Sequence, residues 1–109
     1  MDEKNKIIEN LFGELKRGTL VMSVLLNVKD PIYGYSLVEQ LKSKNVKVEK
    51  NTLYPLLRRL ENQKLLISYW DTSENRARKY YEISELGDEI LLKLLNEWNS
   101  INKSIEKMI

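Results

Sequence analysis

The fold is constrained most by a change of hydrophobic period within residues 51–70, NTLYPLLRRLENQKLLISYW. In the first part of this segment, apolar residues recur at intervals of three and four, which predicts one buried face of an α-helix. The positions on that face are Leu53, Leu56, Leu57 and Leu60. After Lys64 the chain becomes rich in β-branched and aromatic residues, which favour strands. A short helix is therefore expected to run almost directly into a β-strand.

The opposite face of this helix carries polar and cationic side chains. At about 100° per residue, the positions away from the leucines are Asn51, Pro55, Arg58 and Asn62, flanked by Thr52, Tyr54 and Arg59. Asn51 or Thr52 is predicted to cap the helix. Pro55 is predicted to fall in its first turn, where a missing N–H costs little.

Two segments with strand character follow, LLISYW and ARKYYEI, and the polar segment DTSENR joins them. This arrangement predicts a β-hairpin with a basic end, because Arg76, Arg78 and Lys79 lie in or beside the loop. The aromatic residues of the hairpin are interpreted as packing groups rather than as platforms for stacking bases.

The other segments predict further helices and one more strand. Residues 5–26 have helical periodicity, and Gly18 leaves open a bend or a boundary. YGYSLVEQLKSK predicts a short helix, and Val46 and Val48 alternate as in a brief strand. Ser84 is predicted to cap a last helix that runs to about Met108. Its apolar residues form a seam with a/d spacing: Leu91, Leu94, Trp98, Ile101, Ile105 and Met108.

This order of elements predicts a mainly α fold with a small β-hairpin, an α+β class. We expect a winged helix-turn-helix domain over residues 1–83 and a C-terminal dimerisation helix over residues 84–109. A helix about 12 Å across fits the major groove of B-DNA, while the hairpin can lie along the backbone or the minor groove. The expected partner is therefore double-stranded DNA.

The distribution of charge agrees with a polyanionic partner. The chain carries a net charge of only +2, but the stretch from Lys42 to Lys79 has ten basic and four acidic residues. Such clustering is typical of a nucleic-acid site, although a solvated lysine-rich surface would give the same pattern.

The absence of certain residue types argues against catalysis. Without cysteine or histidine, the chain lacks thiolate chemistry and the commonest general base and metal ligand, so neither an enzyme, a metal site nor a cofactor is expected. The longest apolar run, LVMSVLL, is too short to span a bilayer, and no signal peptide is evident, so a cytoplasmic protein is expected.

Three segments, IYGYSLVEQL, NTLYPLLRRLENQKLLISYW and RKYYEISELGDEIL, resemble PadR-type transcriptional regulators. The resemblance covers about residues 15–100. It implies a homodimeric repressor that binds an inverted-repeat operator, with the C-terminal helix forming much of the dimer interface. The single C-terminal helix is similar to that of the compact subgroup of the family.

Candidate DNA contacts lie on the polar helix face, just after that helix and on the hairpin. They are Asn51, Thr52, Tyr54, Arg58, Arg59, Lys64, Arg76, Arg78 and Lys79. Arg58 is the best candidate for a base edge, since arginine pairs bidentately with guanine. Alternatives remain open: Thr52 as a cap only, and Arg59 as a partner of Glu61 or Glu49.

The resemblance also implies a site for a small aromatic effector. Trp98 is similar to a tryptophan of the multidrug-responsive members, in which paired tryptophans at the dimer interface sandwich flat aromatic ligands. The residues expected around it include Leu95 and Asn102 on the same helix and Phe12 on the first helix. The alternatives are that Trp98 only fills the interface, that the seam packs on the chain's own first helix, or that the whole protein is a winged-helix assembly module.

Overall fold

The computed structural model describes residues 2–73 and 75–109, which form five helices and one three-stranded sheet. The helices are α1 (Glu3–Arg17), α2 (Leu20–Leu26), α3 (Gly34–Ser43), α4 (Lys50–Asn62) and α5 (Glu85–Met108). The strands are β1 (Ile32–Tyr33), β2 (Leu66–Asp71) and β3 (Arg78–Ile83), in the antiparallel order β1-β3-β2. The prediction of a mainly α fold with a small hairpin is confirmed.

The N-terminal segment forms two helices where a single periodic stretch was predicted. α1 ends at Arg17 with Gly18 as its C-cap, so of the two possibilities at Gly18, a bend or a boundary, the structure has the boundary. The backbone N–H and the hydroxyl of Thr19 both donate to the carbonyl of Lys16, at 3.0 and 2.8 Å, and close a turn there. α1 contains no buried residue, whereas α2 buries Val24 and Leu25 in the core.

The predicted strand at Val46 and Val48 is wrong. Residues 46–49 have no regular structure, and both valines are half-buried against the core. Their alternation therefore reflects packing and not strand pairing. Asn45, at φ 67°, turns the chain out of α3 just before them. The third strand is β1 instead, which pairs Ile32 with Tyr81 and is too short to produce a periodic pattern.

The N-cap of α4 lies two residues before Asn51 and three before Thr52, the two predicted caps. This N-cap is Glu49, whose carbonyl accepts the backbone N–H groups of Thr52 and Leu53 at 3.0 and 2.9 Å. The prediction that Asn51 or Thr52 caps the helix is therefore wrong, because both residues lie in its first turn. Pro55 lies beyond that first turn, inside the helix, so its predicted position is also wrong.

The core is one cluster in which the predicted inward face of α4 takes part. Leu53, Leu57 and Leu60 are buried, and Leu56 packs at the margin. The cluster is completed by residues from α2, α3, the sheet, α5 and the segments that follow α2 and α4: Val24, Leu25, Val28, Leu37, Leu41, Leu65, Leu66, Tyr81, Ile83 and Leu91. The sheet thus covers one side of the helices and holds the hairpin beside α4.

α5 begins as predicted and then leaves the core. The hydroxyl of Ser84 accepts the N–H of Gly87 at 2.9 Å, which confirms the cap. Within α5 only Gly87 and Leu91 are buried, and every residue from position 96 onwards is exposed. Leu91 therefore belongs to the protomer's own core. Across residues 2–73 and 75–109, no helix combines the length and the apolar character needed to cross a membrane.

Candidate nucleic-acid interface

The polar face of α4 is exposed along its length. Asn51, Thr52, Tyr54, Arg58 and Arg59 all lie on the surface, because the leucines at the intervening positions anchor the opposite side of the helix in the core. The structure thus brings the predicted α4 residues together on one face.

A groove of about 370 Å³ lies beside this face, between the start of α3, α4 and the hairpin. Tyr54 and Arg58 line it from α4, and Trp70 and Lys79 line it from the hairpin. Its remaining walls are Tyr33, Gly34, Tyr35, Ala77 and Tyr81. The groove therefore joins the polar helix face to the hairpin in one continuous concave surface with two cationic side chains.

The carboxylate of Glu61 connects α4 to both long strands. Its Oε2 accepts the hydroxyl of Ser68 on β2, and its Oε1 accepts the ammonium of Lys79 on β3 at 3.3 Å. The Ser68 hydroxyl, and then the Lys79 ammonium, hold the pKa of the Glu61 carboxyl below its ordinary value, although partial burial opposes them. Glu61 therefore stays ionised, and its partner is Lys79 and not Arg59.

The other predicted cations lie in different surroundings. Lys64 is exposed just after α4, at φ 69°, and Arg76 is exposed in the loop of the hairpin. Arg78 is half-buried with its guanidinium carbon 5.2 Å from the centre of the Tyr33 ring. Because neighbouring residues of a strand point to opposite faces, Arg78 and Lys79 lie on different sides of the sheet.

The tyrosines of the sheet pack mainly on one another. Tyr69 and Tyr80 stack at 5.7 Å, and Tyr33 lies 5.9 Å from Tyr80 and 6.0 Å from Tyr35. The ammonium of Lys50 lies 4.3 Å from the Tyr35 ring, so this row of rings also contacts the first turn of α4. The interpretation of these aromatics as packing groups agrees with these contacts.

Sequence reasoning missed the part that four residues play in the site. Tyr35 and Trp70 line the groove, and Ser68 and Glu61 link α4 to β2. Period-two alternation would have placed Ser68 and Trp70 on the core-facing side of β2, with Leu66. Alternation alone does not show that Ser68 lies opposite Tyr81 and Trp70 opposite Lys79. This pairing depends on the register of the two strands, which is set only when the hairpin closes.

A second exposed surface consists of apolar residues on two helices. On α5, Leu94 is half-buried, while Trp98, Ile101, Ile105 and Met108 are exposed. On α1 the exposed apolar residues are Ile7, Ile8, Leu11, Phe12 and Leu15. Within the protomer α5 packs mainly on α2, so its seam does not pack along α1.

The residues proposed around Trp98 are only partly brought together. Asn102 is exposed on α5 one turn from Trp98, and Leu95 is half-buried at the edge of the core. Phe12 is exposed on α1, with the Lys16 ammonium 6.0 Å from its ring, and α1 does not pack extensively on α5 within one protomer.

Known proteins are similar to this chain in fold and in sequence. A PadR family transcriptional regulator from Eggerthella lenta is 41% identical, with a TM-score of 0.93 over 96% of this chain and 94% of that one. A PadR-like transcription factor from Bacteroides fragilis is 30% identical, with a TM-score of 0.77 over 92% of this chain and 99% of that one. The transcriptional regulator Rv3488 from Mycobacterium tuberculosis is 32% identical over 75 residues, which is 68% of this chain and 70% of that protein.

The family model of the transcriptional regulator PadR-like family matches residues 21–93. This range contains the first part of α5 and all the elements that line the groove, which are β1, α3, α4 and the two strands of the hairpin. The protein is therefore a member of the PadR-like family of transcriptional regulators, and its function is not enzymatic.

Proposed function

We propose that this protein is a homodimeric, sequence-specific repressor that inserts α4 into the major groove of an inverted-repeat operator. The observation that carries the proposal is the exposed polar and cationic face of α4, which opens into a groove shared with the hairpin. A helix about 12 Å across matches the width of the major groove of B-DNA. A cytoplasmic location follows from this function.

Each part of the surface has a proposed role. Arg58 lies midway along α4 and reads a guanine edge through its two parallel N–H donors. Asn51, Thr52 and Tyr54 contact neighbouring bases or phosphates, and phosphate contacts fix the register of the helix. Further phosphate contacts come from Arg59 and Lys64 at the end of α4 and from Arg76 and Arg78 on the hairpin. Lys79 lies in the groove, where its ammonium pairs with the carboxylate of Glu61.

Dimerisation is proposed to use residues 84–109 together with α1. PadR-like regulators bind DNA as dimers. In support, α5 extends past the core with an exposed apolar seam from Trp98 to Met108, and α1 buries none of its apolar residues. Two recognition helices related by a two-fold axis would meet half-sites about 34–36 Å apart.

Arg58→Ala should cost about 1–3 kcal/mol of operator binding and relax base preference at one position of each half-site. The reason is that a bidentate arginine–guanine contact is removed while the phosphate contacts remain. Selection of bound fragments from genomic DNA would identify the operator, and titrations of operator variants would measure the preference of wild type and variant.

Arg17→Ala is the matched control, since it removes the same charge from an exposed site at the end of α1. It should leave base preference unchanged. Purified wild-type protein that binds all genomic fragments alike at moderate salt would contradict the proposed function and favour the alternative, a winged-helix module for protein assembly.

We also propose that a planar aromatic effector binds between the Trp98 side chains of the two subunits and releases the operator. Trp98 is 37% exposed in the protomer and lies on the seam of α5. A two-fold axis would place this seam against the same seam of the other subunit. Leu95 and Asn102 would border the slot, and Phe12 would reach it only from α1 of the other subunit. Release requires that the ligand prefer a dimer geometry that disfavours the operator.

Trp98→Ala should weaken the binding of flat aromatic dyes by about 5- to 160-fold, because stacking on two ring faces contributes about 0.5–1.5 kcal/mol per face, or about 1–3 kcal/mol together. Calorimetric titration of a panel of dyes measures this difference directly. Quenching of tryptophan emission gives a second readout in a Trp70→Phe background, which removes the other fluorophore.

Trp70→Phe alone serves as the control, since Trp70 lines the groove beside α4 and lies outside the seam. It should bind the dyes as wild type does. If the Trp98→Ala protein binds every dye with wild-type affinity, or if the wild type binds none, Trp98 is an interface residue without a ligand.

A further inference from the structure

Glu61 makes the main side-chain connection between the recognition helix and the hairpin. It lies in the last turn of α4, and its two oxygens accept hydrogen bonds from Ser68 on β2 and Lys79 on β3. The side chains of Glu61 and Lys79 are only 30% and 29% exposed, so both ions are partly shielded from water. Such a pair is screened less by salt than one on an open surface.

Lys79 is held from several sides. Its ammonium lies 3.3 Å from Glu61 Oε1, 5.3 Å from the centre of the Tyr81 ring and 5.9 Å from that of the Trp70 ring. Aromatic faces attract cations at these distances. The side chain therefore points to the inner side of the sheet and not towards the loop of the hairpin.

The position of this pair matters because Lys79 lines the same groove as Tyr54 and Arg58. A free ammonium there would lie beside the surface that we propose for DNA. Contacts between lysines and phosphates do not depend on sequence, and each one steepens the salt dependence of binding, with a slope of about 0.9 per phosphate neutralised. A lysine paired with a carboxylate contributes no net charge to such a contact.

We propose that Glu61 determines specificity by holding Lys79 against the inner side of the sheet, which withholds a cation from the DNA backbone. The proposal rests on the proposed function. Binding then depends more on the base contacts of α4 and less on contacts that every sequence offers. The link from Glu61 to Ser68 acts in the same direction, because it ties the hairpin to the helix that reads the bases.

Glu61→Gln tests the proposal, because the amide keeps the size of the side chain and removes the charge that holds Lys79. The slope of the logarithm of the association constant against log salt, measured for a non-operator duplex, should steepen by about 0.9 for each Lys79 released. Non-operator affinity at 0.1 M salt should rise about three- to tenfold for each Lys79 that reaches a phosphate. Operator affinity should rise less, so the ratio of operator to non-operator affinity should fall.

Three variants isolate the cause. Glu61→Gln/Lys79→Gln should return the slope to the wild-type value, since no ammonium remains to be released. Ser68→Ala should leave the slope unchanged, because the ion pair survives. Glu89→Gln, on the exposed side of α5, changes the net charge equally and should change neither the slope nor the affinity ratio.

The outcomes separate this inference from the proposed function. A wild-type protein without operator preference contradicts the proposed function, whatever the variants do. A selective wild type whose Glu61→Gln variant keeps the wild-type slope overturns the inference alone. If Glu61→Gln fails to fold, Lys79→Gln decides: an unchanged slope supports the proposal, and a slope shallower by about 0.9 per Lys79 shows that Lys79 contacts phosphate and overturns it.

Discussion

Gly87→Ala is expected to destabilise the protein by about 3 kcal/mol, the upper part of the range for overpacked sites. A Cβ atom at this position would lie 2.3 Å from the carbonyl oxygen of Leu65 and 2.7 Å from Cγ1 of Ile83. The Leu65 carbonyl is part of the backbone and accepts the N–H of Ser84 at 3.0 Å, so it cannot simply rotate away. The first turn of α5 would have to move off the sheet. Urea denaturation followed by circular dichroism measures the loss.

Gly18→Ala is the control for this experiment. Gly18 is at φ −66°, which any residue adopts, and a Cβ there would meet no atom within 4 Å. Its substitution should change the free energy of unfolding by less than about 1 kcal/mol. Equal stabilities of the Gly87→Ala and wild-type proteins would mean that α5 does not pack on Leu65 as described.

Local patterns predicted most of the fold because most of its elements are defined by their own sequence. The leucines of α4 mark its buried face without reference to any other element, and the Ser84 cap is a contact within one turn. The two long strands follow from composition and from a polar loop. The same reasoning failed for β1, because a two-residue strand exists only through its pairing with β3.

The errors at Val46 and at the start of α4 have separate physical causes. Alternating half-buried residues arise wherever a loop lies on a core, so the pattern of Val46 and Val48 does not distinguish a loop from a strand. A backbone carbonyl can begin a helix without a side-chain cap, as Glu49 does, and such a start leaves little trace in the sequence.

The candidate site was predictable to the extent that it belongs to one helix. The exposed face of α4 follows from helical geometry, and Arg58 and Tyr54 were found in this way. The partner of Glu61 was not predicted, because sequence reasoning considered Arg59 on the same helix, whereas Lys79 is 18 positions away in the chain. Only the register that pairs Trp70 with Lys79, and the packing of α4 on β2, select Lys79.

Paired acidic substitutions of Ile101 and Ile105 are expected to convert the protein into a folded monomer that no longer binds its operator. The two isoleucines are 49% and 50% exposed in the protomer, so their substitution should reduce the stability of the folded protomer only slightly. In the proposed dimer, each aspartate would place an unpaired charge in an apolar seam, at a cost of several kcal/mol. Sedimentation equilibrium measures the mass, and circular dichroism measures the helix content.

Substituting this pair tests the interface more cleanly than substituting Leu94, because Leu94 packs on the protomer's core as well as in the seam. The matched control is Asn96→Asp with Asn99→Asp, which adds the same two charges on the other side of α5, where both residues are exposed. The control protein should stay dimeric and bind the operator. For the Ile101→Asp/Ile105→Asp protein, each loss of about 3 kcal/mol from dimerisation raises the dissociation constant of the dimer more than a hundredfold. Operator affinity should fall with it, since the two half-sites are then bound separately. A variant that remains dimeric, or that binds the operator fully as a monomer, would place the interface elsewhere than on α5.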